Sequence, residues 1–129
     1  MVFMQIKKTL PKHEGMQRQA ALTAFSTFFE LKHIFLVDED VDIFDAADVL
    51  WALNTRYQGD IDTVFIPATR AHVADPSAWP YYSANSRVGG VSCKTIYDCT
   101  VPLDLWKHFV RPTFTDVDVQ KFLPGYDPS

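Results

Sequence analysis

Two regimes of apolar spacing alternate along the chain: short unbroken apolar runs, and longer stretches in which apolar side chains return every three or four residues. "VFMQIKK", Val2 to Lys8, is a run of the first kind ending in two lysines, and the Pro and Gly of "TLPKHEG" behind it break regular structure. A strand and then a loop are expected there. From Met16 the apolar side chains fall at 16, 20, 24 and 28, with Ala21, Phe25 and Phe29 alongside, the stripe of a packed helix that ends near Phe29. "HIFLV", His33 to Val37, is too short for a helix and rich in strand formers, so it predicts a buried second strand. Asp45 and Asp48 then place a capping oxygen and negative charge at the start of a second helix. Its packed face is Val49, Leu50, Ala52 and Leu53, and it runs to about Arg56.

After the polar turn "YQGDID", "TVFIP", Thr63 to Pro67, reads as a third strand that Pro67 ends. Strand, helix, strand, helix, strand in this order predicts parallel strands joined by right-handed crossovers. The expected fold class is α/β, a three-layer domain with a mainly parallel βαβαβ core sheet. The 23 residues "ATRAHVADPSAWPYYSANSRVGG" carry two prolines and two glycines and no clear period. Loops of that length are uncommon unless functional or disordered. "VSCKTIYDCTVP", Val91 to Pro102, looks extended again, and "TDVDVQKFL", Thr115 to Leu123, predicts a short capped terminal helix. With no internal repeat and no low-complexity tract, residues 1–129 read as a single domain.

Composition narrows the function classes. With 47% apolar and 14% aromatic residues the chain suits one compact core, and a net charge of -4 with scattered Lys and Arg offers no electrostatic footprint for nucleic acid. No apolar run approaches the roughly 18 residues of a membrane span, and no charged n-region with an apolar h-region follows Met1. A soluble, unexported, cytoplasmic chain with no membrane partner is expected. Cys93 and Cys99 stand in an extended segment that would hold them about 20 Å apart, as two lone thiols.

The densest chemistry is "LVDEDVDIFD", Leu36 to Asp45, with carboxylates at Asp38, Glu39, Asp40, Asp42 and Asp45. Asp38, Asp40 and Asp42 take the first, third and fifth places of a calcium loop, but Ile43 stands where the turn needs Gly and Val49 where a bidentate Glu should close the shell. The acids read instead as a strand exit and a helix cap. His13, His33, His72 and His108 are isolated and the cysteines form no knuckle, so no metal site is expected in the chain. No nucleophile elbow, Walker loop or dinucleotide fingerprint occurs, and no catalytic residue is assigned. Open parallel sheets bind ligands at the carboxyl ends of their strands. Three such ends would carry Lys7, Lys8, Lys12 and His13, then the acidic cluster, then Thr69, Arg70 and His72. An edge so rich in cations and imidazoles would suit a small anionic ligand, the alternative for each residue being a solvated loop side chain.

"HIFLVDEDVDIFDAADVLWALNTR", His33 to Arg56, with "DTVFIP" after it, resembles the UbiD family of decarboxylases, in which a strand, a D-x-D-V-D-x-F-D signature and a V-x-W-A-x-x-T-R helix follow one another. "GGVSCKTIYDCTVP", Gly89 to Pro102, is similar to the family's G-x-x-x-K-x-x-x-D-A-T segment, with Cys99 in place of the small residue. "QIKKTLPKHEGMQRQAA", Gln5 to Ala21, resembles the strand, loop and helix that open the same domain, although the usual G-H-A reads His13, Glu14, Gly15. The likeness covers nearly the whole chain and is weak beyond Phe109.

What the resemblance implies is reversible, non-oxidative removal or addition of CO2 on aromatic and α,β-unsaturated acids by prenylated FMN, with a divalent metal and potassium holding its phosphate. The flavin, its metal ligands and the catalytic Glu-Arg-Glu set belong to an earlier flavin-binding domain, expected outside these residues. This chain would be the C-terminal domain, giving pocket wall and subunit contacts to a homo-oligomer. The matching substrate positions are Lys7 and His72, with Arg70 near. An imidazole suits a phenol or catechol oxygen, which points to hydroxybenzoates such as protocatechuate or gallate. Lys94 and Asp98, the family's Lys and Asp, are expected to be structural partners on one side of an extended segment. The alternative from a different class is a non-catalytic binding or assembly subunit of a split decarboxylase complex.

Overall fold

The computed structural model describes residues 1–79, 89–113, 115 and 117–126. In chain order they form β1 (Val2–Ile6), α1 (Met16–Thr27), β2 (His33–Asp38), α2 (Ala46–Arg56), β3 (Thr63–Arg70), β4 (Val91–Asp98) and a single turn of helix, α3 (Val119–Phe122). The four strands make one sheet in the order β1-β2-β4-β3. β1 and β2 pair in parallel with Val2 against Ile34, and β2 and β4 in parallel with His33 against Thr95.

Alternation along the strands sorts the core into two clusters, one on each face. Ile34, Leu36 and Ile96 meet Ala21 and Phe25 of α1. Val37, with Val41 and Cys99 just beyond the strand ends, meets Val49 and Ala52 of α2. The result is the expected α/β class in three layers. Each of the large side chains among these contributes about 1.5–3 kcal/mol by leaving water. The helix stripes are set a little differently from the sequence reading. α1 buries Gln17, Ala21 and Phe25 and leaves Met16 and Phe28 exposed, while on α2 Leu50 is exposed and Arg56 is buried.

Two polar residues of β4 fasten the ends of α1. Lys94 and Asp98 lie on the same side as Ile96, but they are not partners of each other as the sequence suggested. Lys94 Nζ donates to the carbonyls of Phe29, at 2.6 Å, and Leu31, just past the C-terminus of α1. Asp98 Oδ2 accepts from Gln17 Nε2 at 3.3 Å and Arg18 Nε at 2.7 Å in the first turn. A cation behind the helix and an anion before it match the sign of the helix dipole. Burial holds the Lys94 ammonium below its ordinary pKa.

The third strand departs from expectation. β3 is antiparallel to β4, with Thr63 against Tyr97 and Arg70 against Val91, so the sheet is mixed. The cause lies in α2. Its last residue, Arg56, bonds to Asp38 and Asp40 at the carboxyl end of β2, so the helix finishes at that end of the sheet. Six residues then separate Arg56 from Thr63, too few to carry the chain back to the amino end and start a parallel strand. Nor does Pro67 end the strand. Pairing slips between Ile66 and Thr69, and Ala68 takes a φ of 56°, so the proline, which has no amide to donate, sits in a bulge.

Beyond β3, the Ala71 amide donates to the Gly90 carbonyl and the Gly90 amide to the Ala78 carbonyl, which closes the base of the long connection. A 3-10 turn, Pro76–Ala78, lies inside it. The rest of that predicted loop, 80–88, lies outside the described residues, as does 116 in the predicted terminal helix. The turn that does form there, Val119–Phe122, has no side-chain cap. No described helix is long and apolar enough to cross a membrane, and both cysteines are free thiols.

Candidate functional site at the amino end of the sheet

The carboxyl ends of β1 and β2, two of the three strand ends where a ligand was expected, are occupied by the protein's own chain, together with that of β4. The segment after β4 crosses them. Lys8 Nζ, whose side chain is 3% exposed, donates to Val101 O at 2.7 Å, Thr100 Oγ1 at 3.3 Å and Glu14 Oε2 at 3.1 Å. Asp38 Oδ2 accepts from the Val101 amide at 2.8 Å and Arg56 Nη1 at 3.3 Å. The Leu103 amide donates to Glu14 Oε1 at 2.8 Å. What remains between Ile6, Lys8, Asp38 and Trp106 is a hollow of about 110 Å³. A wider cleft of about 410 Å³ beside the start of α1 is lined by Lys8, Arg18 and Arg56, and each of these cations is already engaged by a carboxylate.

The acidic stretch is accordingly scaffolding, as its failure as a calcium loop implied. Asp38 ends β2, and Asp45 Oδ1 caps α2 by accepting from the Ala47 amide at 2.9 Å. The sequence reading missed what the others hold. Asp40 takes both Nη1 and Nη2 of Arg56, at 2.8 and 2.6 Å, and Asp48 takes Nη1 and Nη2 of Arg111, at 2.5 and 3.2 Å. Both guanidiniums stack on Trp51, Arg56 at 4.8 Å and Arg111 at 3.9 Å from the ring centroid, and Arg56 lies 5.4 Å from the Trp106 centroid. The available signal was the T-R that closes the α2 signature, an arginine five residues after the tryptophan and eighteen after the first aspartate. Among the described residues no group of three or more His, Cys, Asp or Glu could hold a metal ion.

Burial pushes the Asp38 carboxyl up to about 6, against the lowering effects of the Val101 amide, Lys8 and Arg56. A carboxyl raised in this way favours the folded state below its ordinary value near 4, and that contribution is lost as pH rises through about 6. Asp40, Asp48 and Asp75 are displaced downward, chiefly by Arg56, Arg111 and Lys32, so their contributions are lost only as pH falls below the usual carboxylate range. His33, lowered chiefly by burial, opposes Asp38 on the acid side of neutrality. Carboxyl-carbon NMR separates these groups. The Asp38 resonance is expected to titrate near pH 6 while the other three titrate on the acid side of an ordinary carboxylate, and an Asp38 midpoint at the ordinary carboxylate value would contradict the assignment.

The antiparallel β3 divides the predicted binding edge. Lys7 lies at the carboxyl end, exposed and paired with Glu39 at 2.6 Å. Arg70 and His72 lie at the opposite end, beside the start of β4. The two ends are separated by the length of β4, about 23 Å at strand rise, so Lys7 and His72 cannot touch one aromatic ring within one copy of the domain. This corrects the grouping of all three at one edge.

What the structure brings together at the amino end is a hollow of about 250 Å³ lined by Phe29, Lys32, Ala71, His72, Asp75 and Ser92. His72 Nδ1 accepts from the Ala74 amide at 3.0 Å, so the neutral ring carries its proton on Nε2. That donor sits on an exposed residue with no bond to the described protein. The Arg70 guanidinium stacks over Phe29 at 4.2 Å. The hollow thus brings together the Phe29 ring, the His72 N–H donor and the Arg70 guanidinium stacked on that ring.

Four strands in the order β1-β2-β4-β3 and an acidic signature locked by Arg56 define this as a mixed α/β domain. Residues 1–99 match the model of the 3-octaprenyl-4-hydroxybenzoate carboxy-lyase C-terminal domain, and the chain belongs to that family, the UbiD decarboxylases. It is 50% identical over 95% of its length to gallate decarboxylase of Lactiplantibacillus plantarum, covering 26% of that protein. Crystalline apo 3,4-dihydroxybenzoic acid decarboxylase of Klebsiella pneumoniae is 56% identical, with a TM-score of 0.81, over 96% of this chain and 25% of that one. The UbiD-class enzyme HmfF of Pelotomaculum thermopropionicum, in complex with FMN, is 34% identical with a TM-score of 0.72, over 87% of this chain and 23% of that one. The chain therefore spans about a quarter of the length of the relatives it matches. Among the described residues no metal-ligand cluster converges, and the cations of the cleft beside the start of α1 are each engaged by a carboxylate.

Proposed function

We propose that this chain is the C-terminal domain of a non-oxidative, reversible hydroxybenzoate decarboxylase of the cytoplasm. In this reading prenylated FMN, with a divalent metal and potassium on its phosphate, is carried by a flavin-binding domain or subunit outside these residues. The present domain forms part of the substrate-pocket wall and of the contacts in a homo-oligomer. The observation that carries the reading is the similarity, over nearly the whole chain, to decarboxylases of gallate and 3,4-dihydroxybenzoic acid. The amino-end hollow supports it chemically, because a phenolic oxygen is a good acceptor for the fixed His72 Nε2–H, and Arg70 adds positive charge beside an acid substrate. Lys7, at the other end of the sheet, has no part in that contact.

The test is a hybrid in which this chain replaces the matching C-terminal part of the gallate decarboxylase, loaded with prenylated flavin and assayed for CO2 release. Turnover of gallate or 3,4-dihydroxybenzoate is expected, and none from the isolated chain. His72→Ala should lower turnover of hydroxylated acids about tenfold, the worth of one good hydrogen bond, with little effect on unsubstituted acids. Equal losses on both would remove the role of His72, and an inactive hybrid that folds and binds flavin would contradict the reading as a whole.

A further inference from the structure

The donor that His72 presents depends on which of its nitrogens is protonated, and the loop that decides this has its own anchor. His72 to Asp75 form a turn, with the Asp75 amide donating to the His72 carbonyl at 3.0 Å and the Ala74 amide to Nδ1 at 3.0 Å. Backbone bonds at Ala71 and Ala78 flank the turn, and Lys32, at the entry to β2, holds the turn itself through Asp75. Its ammonium reaches across to Asp75 Oδ2 at 2.8 Å and Ser77 Oγ at 2.5 Å, forty-five residues on. Its own backbone is locked, because the Lys32 carbonyl accepts from the Thr95 amide of β4 at 2.9 Å. Asp75 completes the device by capping the following 3-10 turn, its Oδ1 accepting from the Ser77 amide at 3.0 Å and Ser77 Oγ at 2.7 Å. The pair is partly sheltered, with side chains 32% and 16% exposed, where an ion pair holds its geometry better than in open solvent.

We propose that the Lys32–Asp75 ion pair is the positioning element of the His72 site, holding the turn in the one arrangement that keeps Nδ1 an acceptor and Nε2–H directed outward. Neither residue needs to touch substrate. Lys32 gives two of its three N–H donors to Asp75 and Ser77, and Asp75 accepts from Lys32 and Ser77. The inference rests on the substrate role proposed for His72, but its direct readout does not. If the pair is broken, the imidazole loses its fixed tautomer whether or not His72 ever meets a phenol.

The experiment is nitrogen-15 NMR of the His72 ring in the full chain at a pH where it is neutral. In the unmodified protein Nδ1 should give the shift of an unprotonated nitrogen and Nε2 that of a protonated one. In Lys32→Met, and in Asp75→Asn, which keeps an oxygen for the Ser77 cap, the two shifts should move toward each other as both tautomers become populated. Lys32→Arg should restore the separation. Backbone amide shifts of β2 and β4 that match the unmodified protein show that the fold survives in each variant. In the flavin-loaded hybrid, the same two variants should lose several-fold of the preference for hydroxylated over unsubstituted acids. Unchanged ring shifts in both variants, with the fold intact, overturn the positioning role. Altered ring shifts with unchanged acid preference leave the positioning role standing and refute the substrate role of His72 instead.

Discussion

Replacing Arg56 with alanine is expected to cost about 3–5 kcal/mol of folding stability, the range for removing one partner of a buried charge pair. The Arg56 side chain is 0% exposed and lies between Trp51 and Trp106 while it holds Asp38 and Asp40. Truncation leaves Asp38, itself 3% exposed, with only the Val101 amide, Lys8 and the solvent-poor strand ends around it, and opens a cavity between two indoles. Arg56→Lys should recover only part of the loss, because an ammonium cannot span both oxygens of Asp40 or stack as a plane on Trp51. Arg111→Ala makes the contrast. Its side chain is 32% exposed, so about 1 kcal/mol is expected even though it meets the same tryptophan. Urea denaturation of the three variants checks the order, and an Arg56→Ala loss no larger than that of Arg111→Ala would show that the guanidinium is not a keystone. Hydrogen exchange at the Val101 amide should accelerate with the Arg56 change, since that amide donates to the same Asp38 oxygen.

The same arginine explains what could and could not be read in advance. Val2–Ile6, Met16–Thr27, His33–Asp38 and Ala46–Arg56 follow from local pattern, because each buries a face whose period is visible in the sequence. The direction of β3 does not, since it depends on where α2 ends, and that is fixed by Arg56 meeting carboxylates sixteen and eighteen residues earlier. A tertiary ion pair overrode the default crossover. The site suffered the consequence. Reading three parallel strands put Lys7, Arg70 and His72 on one edge, and reversing a single strand sent Arg70 and His72 to the other. His72 could be picked out as a candidate from its family position, yet its tautomer was not legible, because the Ala74 amide that sets it becomes a partner only in a folded turn. Lys32 was invisible for the same reason, being an ordinary lysine before a strand until Asp75 and Ser77 come to it.

Asp98→Ala is expected to cost about 3 kcal/mol, at the lower end of the same range. The carboxylate is 4% exposed and accepts four bonds, from Gln17 and Arg18 on one oxygen and from the amide and hydroxyl of Thr100 on the other. Arg18 is 38% exposed and can turn to solvent when its partner is removed, but Gln17 is 6% exposed, and its Oε1 already lacks a partner, so truncation leaves the whole amide stranded. Asp98→Asn should lose roughly half as much, since its oxygen can still accept from Thr100 while its amide faces donors on α1. Lys94→Met acts at the other end of the helix, leaving the Phe29 and Leu31 carbonyls short of a donor at a cost of about 1–3 kcal/mol. If α1 is held on the sheet as one rigid unit, freeing one end forfeits part of what the other end gains. The Asp98→Ala, Lys94→Met double variant should then lose less than the two single losses together, a coupling of about 0.5 kcal/mol or more. Strict additivity would mean that the two anchors act on independent ends of α1, with the Ala21 and Phe25 packing between them setting the helix position unaided.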